Sequence, residues 1–282
     1  MSINAGAAAW LLQAHANDSK GFVLMSKDII VFTLHKCASM FIHQQCQLLS
    51  HLSGMTYNSP NTQNTLFTAQ RLLTDRAIWG SHHGCFAPIR FFVDVPDFEN
   101  YHTILHLRDP RDVLASMFYS YCYIHKGEIA GNTGYRKEAA EAGIDKFVLD
   151  KSLNRNSSYV GDYGTGQHLE DLIGNITDRY NDYINHVLGR SNVLFVKYED
   201  MVTNYRGWLE KFIEPFPLSD KSRLIEELVA QSSEFFPERT TDRMAHRRHI
   251  TPGDHKNKLK ASTISQLNEI FGDILCALGY EQ

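Results

Sequence analysis

Short apolar, β-branched runs alternate along the chain with longer stretches whose apolar residues recur three and four positions apart, the periods of strand and helix. Phe22 to Met25 and Ile29 to Leu34 read as strands separated by Ser26-Lys27-Asp28. A helix follows from Ser39, its apolar face carried by Met40, Phe41, Leu48, Leu49 and Leu52, and Gly54 ends it. Residues 55–68 are polar and read as a loop, and Ala77 to Trp79 as a short strand running into Gly80-Ser-His-His-Gly84. Tyr101 to Leu107 is a clearer strand, stopping at Arg108-Asp-Pro-Arg-Asp112. There Asp109 can cap, Pro110 suits the first helical position and Asp112 complements the dipole of a helix running to about His125. Further helices are expected over Ile144–Leu153, His168–Leu188, Trp208–Phe212, Lys221–Ser232 and Ser262–Leu278, the last closed by Gly279. A short helix is expected over residues 5–16 and a strand over Val193–Lys197. Strands alternating with helices predict an α/β fold with a largely parallel sheet. No linker, repeat or low-complexity tract divides the chain, so residues 1–282 are expected to form a single domain.

Composition narrows the function classes. At 282 residues, 43% apolar and 21% charged, the chain can bury a large core. A net charge of −4 gives no general field for nucleic acid or an anionic membrane, so an anion must be held by local groups. The five cysteines (Cys37, Cys46, Cys85, Cys122, Cys276) are scattered and lack CxxC spacing, which argues against a disulfide framework or a zinc site. No run approaches the roughly 20 apolar residues that span a bilayer, and the apolar start Ala7 to Leu12 lacks a basic region before it. A cytoplasmic setting is expected, without nucleic-acid or membrane partners.

Three predicted strands end in charged turns: Lys36, Arg108, and Tyr198-Glu-Asp200. In a parallel sheet the carboxyl ends share one edge, where ligands bind. A strand entering a helix through a tight turn aims backbone N–H groups and the positive dipole end at one point, an anion site to which Lys36 adds a mobile charge. Ser116 lies about two helical turns beyond Arg108, so a guanidinium fork and a hydroxyl could grip one phosphate.

These residues together resemble a known family. His35-Lys-Cys-Ala-Ser-Met-Phe41 resembles the 5′-phosphosulfate loop of sulfotransferases that use 3′-phosphoadenosine 5′-phosphosulfate (PAPS). Arg108-Asp-Pro-Arg-Asp-Val-Leu-Ala-Ser-Met-Phe-Tyr-Ser120 is similar to that family's 3′-phosphate motif, and Val193 to Met201 to its strand ending in Tyr-Glu-Asp. Arg247-Arg-His-Ile-Thr-Pro-Gly-Asp-His-Lys256 resembles its C-terminal Arg-Lys-Gly…Gly-Asp-Trp loop, and the order of the motifs is the family's.

The resemblance implies a three-layer α/β fold, a P-loop-like central parallel sheet flanked by helices on both faces, with PAPS as donor, PAP as product, and a small-molecule acceptor carrying a hydroxyl or an amine. It implies no metal, since a sulfuryl group carries less charge than a phosphoryl group. Lys36 would meet the bridging oxygen and the 5′-phosphate, with the backbone of Cys37, Ala38, Ser39 and Met40 and the Ser39 hydroxyl. Arg108, Ser116 and Arg248 (or Arg247) would hold the 3′-phosphate, Phe41 would stack on adenine, and Tyr198 would lie beside it. Ser81-His82 matches the dipeptide that supplies the family's catalytic base, and His83 is its alternative. Arg111 and Asp112 are expected to be structural, as a cap and an internal ion pair. The chain departs from the family at His35 and Ala38, where Pro and Gly are usual, at Met40 in place of threonine, and at His249 and Ile250.

The acceptor is expected among the loops at 55–70, 82–95 and 120–165, which carry Tyr57, Phe86, Phe91, Tyr121, Tyr123, Tyr135 and Tyr163; Gly161 to Gly166 reads as a flexible flanking loop. Two alternatives remain, a P-loop nucleotide kinase and a nucleotide- or carbohydrate-binding relative without activity. The first requires GxxxxGK[ST], which the turn lacks.

Overall fold

The computed structural model describes residues 27–59, 84–124, 135–153, 174–232 and 251–282. In chain order the elements are β1 (Ile29–Phe32), α1 (Ser39–Leu52), β2 (Thr56–Asn58), β3 (Gly84–Ile89) and β4 (His102–Leu107). Then come α2 (Pro110–Tyr119), α3 (Tyr135–Leu153), α4 (Ile176–His186), β5 (Val193–Lys197), α5 (Tyr198–Thr203) and α6 (Tyr205–Phe212). The last are α7 (Lys221–Ala230), α8 (His255–Lys258), α9 (Ala261–Ile270) and α10 (Gly272–Leu278). They fall into two compact units, Met1–Leu107 with Leu188–Pro237, and Arg108–Val187 with Glu238–Gln282.

The first unit holds the sheet. Its order is β2-β3-β1-β4-β5 and every pairing is parallel. All residues of β1 and β3 are buried, the near-continuous apolar run of a parallel strand covered on both faces. The chain leaves β1 towards β2 and β3 on one side, then crosses to β4 and β5 on the other. The strand order therefore reverses between β1 and β4, the position where open α/β sheets bind ligands outside their carboxyl ends. α1 packs on β2 and β3, and α6 on β5. Trp208 and Phe212 of α6 stack at 4.5 Å, and Phe41 of α1 lies 6.1 Å from Trp208, so one aromatic cluster joins the two helices.

The second unit is helical. The Asp109 carboxylate accepts the Arg111 N–H at 2.9 Å and Pro110 occupies the first turn, the start anticipated for α2. α2 continues as a π-type turn over Ser120–Ile124. α3 packs against α2, α4 and α9.

Several boundaries differ from the expectation. Thr56–Asn58 and Gly84–Ile89, taken as loop, are strands. A helical segment from Tyr135 precedes the expected Ile144–Leu153 helix, the two divided within α3 at the non-helical Gly143 (φ 83, ψ 165), and of the helix expected over His168–Leu188 the described residues show Ile176–His186. The last helix is interrupted at Phe271, giving α9 and α10, and Gly279 closes α10 at φ 66 as expected. The segments expected over 5–16, 22–25 and 77–79 lie outside the described residues. No described helix is long and apolar enough to cross a membrane. All five cysteines are free thiols.

Candidate active site

The turn between β1 and α1 sits at the carboxyl edge of the sheet. Cys37 N–H bonds back to the Leu34 carbonyl at 3.3 Å, closing a four-residue turn whose third residue, Lys36, has φ 68. Ala38 follows at φ 56, ψ 30 and occupies the N-cap. A left-handed residue with no side-chain hydroxyl cannot cap, so the first turn of α1 has no side-chain cap. The first helical bonds come from Phe41 and Ile42, both to the Ala38 carbonyl. The N–H groups of Ala38, Ser39 and Met40 are left without acceptors among the described residues, and no acidic residue lies in the first turn. Uncapped N–H groups, a positive dipole end and the half-exposed Lys36 form a cradle suited to a phosphate or sulfate. Cys37 N–H is engaged within the turn, so it leaves the set of expected donors.

Beneath this turn, His106 of β4 is fully buried, edge-on to Trp208 at 5.8 Å. Burial drives its pKa down to about 3 against a weaker opposing pull from the Cys37 backbone, so the ring is neutral.

Phe41 does not present a face for adenine: it is 1% exposed, between Tyr205 and Trp208. The residue matched to a stacking ring is a core residue here, because the ring turns inward on α1 to join the α6 aromatics. Tyr198 begins α5 at the end of β5 and is likewise buried. Phe86 and Phe91, placed among the acceptor loops, are also interior, and Tyr57, Tyr121 and Tyr123 are half-buried. The described structure does not reach the side chains of Ser81, His82, His83, Tyr135, Tyr163, Arg247 and Arg248.

In the second unit, Arg108 precedes the Asp109 cap, 4% exposed, and Tyr180 donates a hydrogen bond to its carbonyl oxygen. Ser116, further along α2, is half-buried and its hydroxyl is unengaged among the described residues. The expected ion pair at the motif's end is arranged differently. Arg111 forks onto Asp109, with Nη2 at 2.7 Å, and also reaches Asn268 and the Glu281 carbonyl. Asp112 instead accepts from Gly253 N at 2.7 Å, His255 N at 2.9 Å and His255 Nδ1 at 2.7 Å, with Arg108 Nη2 at 3.8 Å. Burial alone would raise the Asp112 pKa, but the His255 hydrogen bonds and the Arg108 charge outweigh it and hold the carboxyl below its ordinary value. The carboxylate thus anchors the Gly253-Asp-His255 stretch to the helix that bears Ser116, a role that sequence spacing did not disclose. Among the described residues no group of His, Cys, Asp and Glu could hold a metal ion.

A profile of the sulfotransferase domain matches residues 96–279, which include Arg108, Ser116, Asp112 and His255. The chain belongs to the sulfotransferase family. Two solved structures are similar to it. Mouse sulfotransferase SULT7A1 complexed with PAP shares 15% identity at a TM-score of 0.59, over 96% of this chain and 93% of that one. Retinol dehydratase in complex with androsterone and inactive cofactor PAP shares 13% at 0.53, over 94% and 85%. Both likenesses show the fold, three-layered α/β with a central parallel sheet. A comparison with curated proteins gives no match. The Lys36 turn of this sulfotransferase lies upstream of the matched residues.

Proposed function

We propose that this sulfotransferase moves a sulfuryl group from PAPS to a hydroxyl or amine of a small-molecule acceptor, its two units acting as one domain. The observation that carries the proposal is the Lys36 turn at the point of strand reversal, with three N–H donors and a cation but no acidic counterpart in the first helical turn. A nucleotide donor with phosphates at its 5′ and 3′ ends needs two anion grips. The first is supplied by Lys36 and the N–H groups of Ala38, Ser39 and Met40, with the Ser39 hydroxyl. The second comes from the Arg108 fork, the Ser116 hydroxyl and Arg247 or Arg248.

PAPS supplies an activated sulfuryl group whose departure leaves negative charge on a phosphate. Lys36 and the turn's N–H groups face that charge as it develops, and each such preorganised donor is typically worth about 10²–10³ in rate. The resemblance assigns the acceptor's proton to His82. The family match, running across both units, and the androsterone held by the similar retinol dehydratase support a single domain with a small-molecule acceptor.

Calorimetry with PAP tests the donor site. Lys36→Ala and Arg108→Ala each remove a charged hydrogen-bond partner, worth about 1.5–3 kcal/mol, so PAP affinity should fall roughly ten- to hundredfold in each. Unchanged affinity in both variants refutes the assignment. Magnesium-dependent ATP turnover would favour a kinase, and tight PAP binding without transfer from labelled PAPS to any acceptor would mark an inactive relative.

A further inference from the structure

Three elements of the sheet-bearing unit meet at His43. It lies on α1, four residues after Ser39 and so about 6 Å along the axis from the helix start. Helical side chains lean towards the N-terminus, which here is the Lys36 turn. Met40, one turn earlier on the same face, has its Sδ 3.7 Å from Nη2 of Arg90, the residue that follows β3. Tyr57 of β2 completes the group, its hydroxyl oxygen 2.6 Å from His43 Nδ1 and 2.7 Å from the carbonyl oxygen of Ala87.

The hydroxyl has one proton to give. Both contacts are attractive when Tyr57 donates to Ala87 and His43 Nδ1–H donates to Tyr57. The reverse assignment would leave two oxygens 2.7 Å apart with no proton between them. Ser59 Oγ, 3.4 Å from the same nitrogen, can only share its proton. The imidazole is therefore held as the Nδ1–H tautomer, with its lone pair on Nε2, and Nε2 has no hydrogen-bond partner among the described residues. Burial, and after it the charge of Arg90, lower the ring's proton affinity and favour its neutral form.

We propose that His43 Nε2 is the base that removes the acceptor's proton, with Tyr57 as the positioning residue that fixes its tautomer. The inference rests on the sulfuryl-transfer function proposed above. In the step, the acceptor oxygen or nitrogen forms a bond to sulfur while the bond from sulfur to the 5′-phosphate oxygen breaks. The electron pair stays on the phosphate, and the acceptor's proton passes to Nε2 and then to solvent.

His43 thus takes the role that the resemblance gives to His82. β3 starts at Gly84, opposite Thr56 and next to the Cys85–Ile29 pairing, at the amino edge of the sheet. From Gly84 the strand runs about 17 Å to Ile89, the residue before Arg90. The Lys36 turn lies at the far, carboxyl edge, as do Met40 and Arg90.

The test uses the full-length protein with ³⁵S-labelled PAPS and a phenol, a hydroxysteroid and an aryl amine as acceptors; transfer to water is followed if none is used. His43→Ala should lower turnover about 10²–10⁴-fold while PAP affinity by calorimetry stays within twofold. Added imidazole should restore part of the lost rate, and it should do nothing for His51→Ala, an exposed control on the same helix. Tyr57→Phe should lower kcat several-fold at unchanged KM for PAPS, even if His43→Ala fails to fold. Turnover of a folded His43→Ala within threefold of wild type, a Tyr57→Phe kcat equal to wild type, or loss of PAP binding without imidazole rescue would each overturn the proposal. Wild-type protein that does not bind PAP would instead refute the donor site itself.

Discussion

Removing the Asp112 carboxylate should detach the Gly253–His255 stretch from α2. Its side chain is fully buried and receives three hydrogen bonds, two from backbone N–H groups and one from an imidazole. Asp112→Ala leaves all three donors without an acceptor inside the protein, at about 1–3 kcal/mol for each orphaned group before relaxation. Local rearrangement will rescue part of this, and breaking a buried charged pair typically costs about 3–5 kcal/mol, which is the loss expected in urea denaturation. Asp112→Asn keeps an acceptor for His255 but turns an amide donor towards Gly253 N–H, for a loss of about 1–3 kcal/mol. Hydrogen exchange provides the local check: the amides of Gly253 and His255 should lose protection in both variants. The wild-type carboxyl has a lowered pKa in the folded state, so its contribution is complete above the unfolded value of 3.8 and disappears as pH falls through the lower, folded value. The Asn variant should lack that acid-sensitive component. An Asp112→Ala protein that loses less than about 1 kcal/mol, with both amides still protected, would refute the reasoning.

Phe41→Ala should cost about 3–5 kcal/mol, because it empties a buried site beside Trp208, and PAP affinity of the folded variant should stay within a few-fold of wild type. A large, selective loss of PAP affinity at little cost in stability would restore the adenine-stacking role. His106→Leu should flatten the acid limb of stability. The folded pKa of about 3 lies below the unfolded value of 6.5, so protonation favours the unfolded chain throughout that window, by about 1.4 kcal/mol per pH unit. Urea denaturation at pH 4.5 and pH 7 compares the slopes, and equal slopes in the two proteins would remove His106 from the account.

The elements with strong local signals were legible in the sequence. β1, β4 and β5 are apolar runs, and α2 announces itself through Asp109 and Pro110, both used as expected. β3 was hidden because Gly84 and Pro88 are poor strand residues and because all six residues are buried, leaving no alternation to read. The pairing register of β1 and β3 shifts between Ile30 and Phe32, across the part of β3 where Pro88 has no N–H to donate. β2 is three residues long, with Thr56 and Asn58 flanking Tyr57, too short for any period. Of the proposed site, Lys36, Arg108 and Ser116 were expected from the sequence because each follows a recognisable strand end or motif. The Asp112–His255 and His43–Tyr57 contacts could not, since they join residues 143 and 14 positions apart through tertiary packing alone. Phe41 was misread because an apolar helix position looks the same whether its ring faces core or ligand.

The backbone of the Lys36 turn also limits which residues can be written there. Lys36 and Ala38 both adopt positive φ, a region that costs an ordinary L-residue roughly 1–2 kcal/mol and β-branched residues more. Saturation mutagenesis at position 38 should therefore enrich Gly, Asn and Asp and deplete Val, Ile, Thr and Pro, whatever their polarity. At position 36 the same conformational sieve acts together with the demand for charge that the proposed donor site makes, so Arg should be the best tolerated change there. Tolerance to mutation in this turn should follow torsion angle first and chemistry second, the reverse of the order expected at a contact surface.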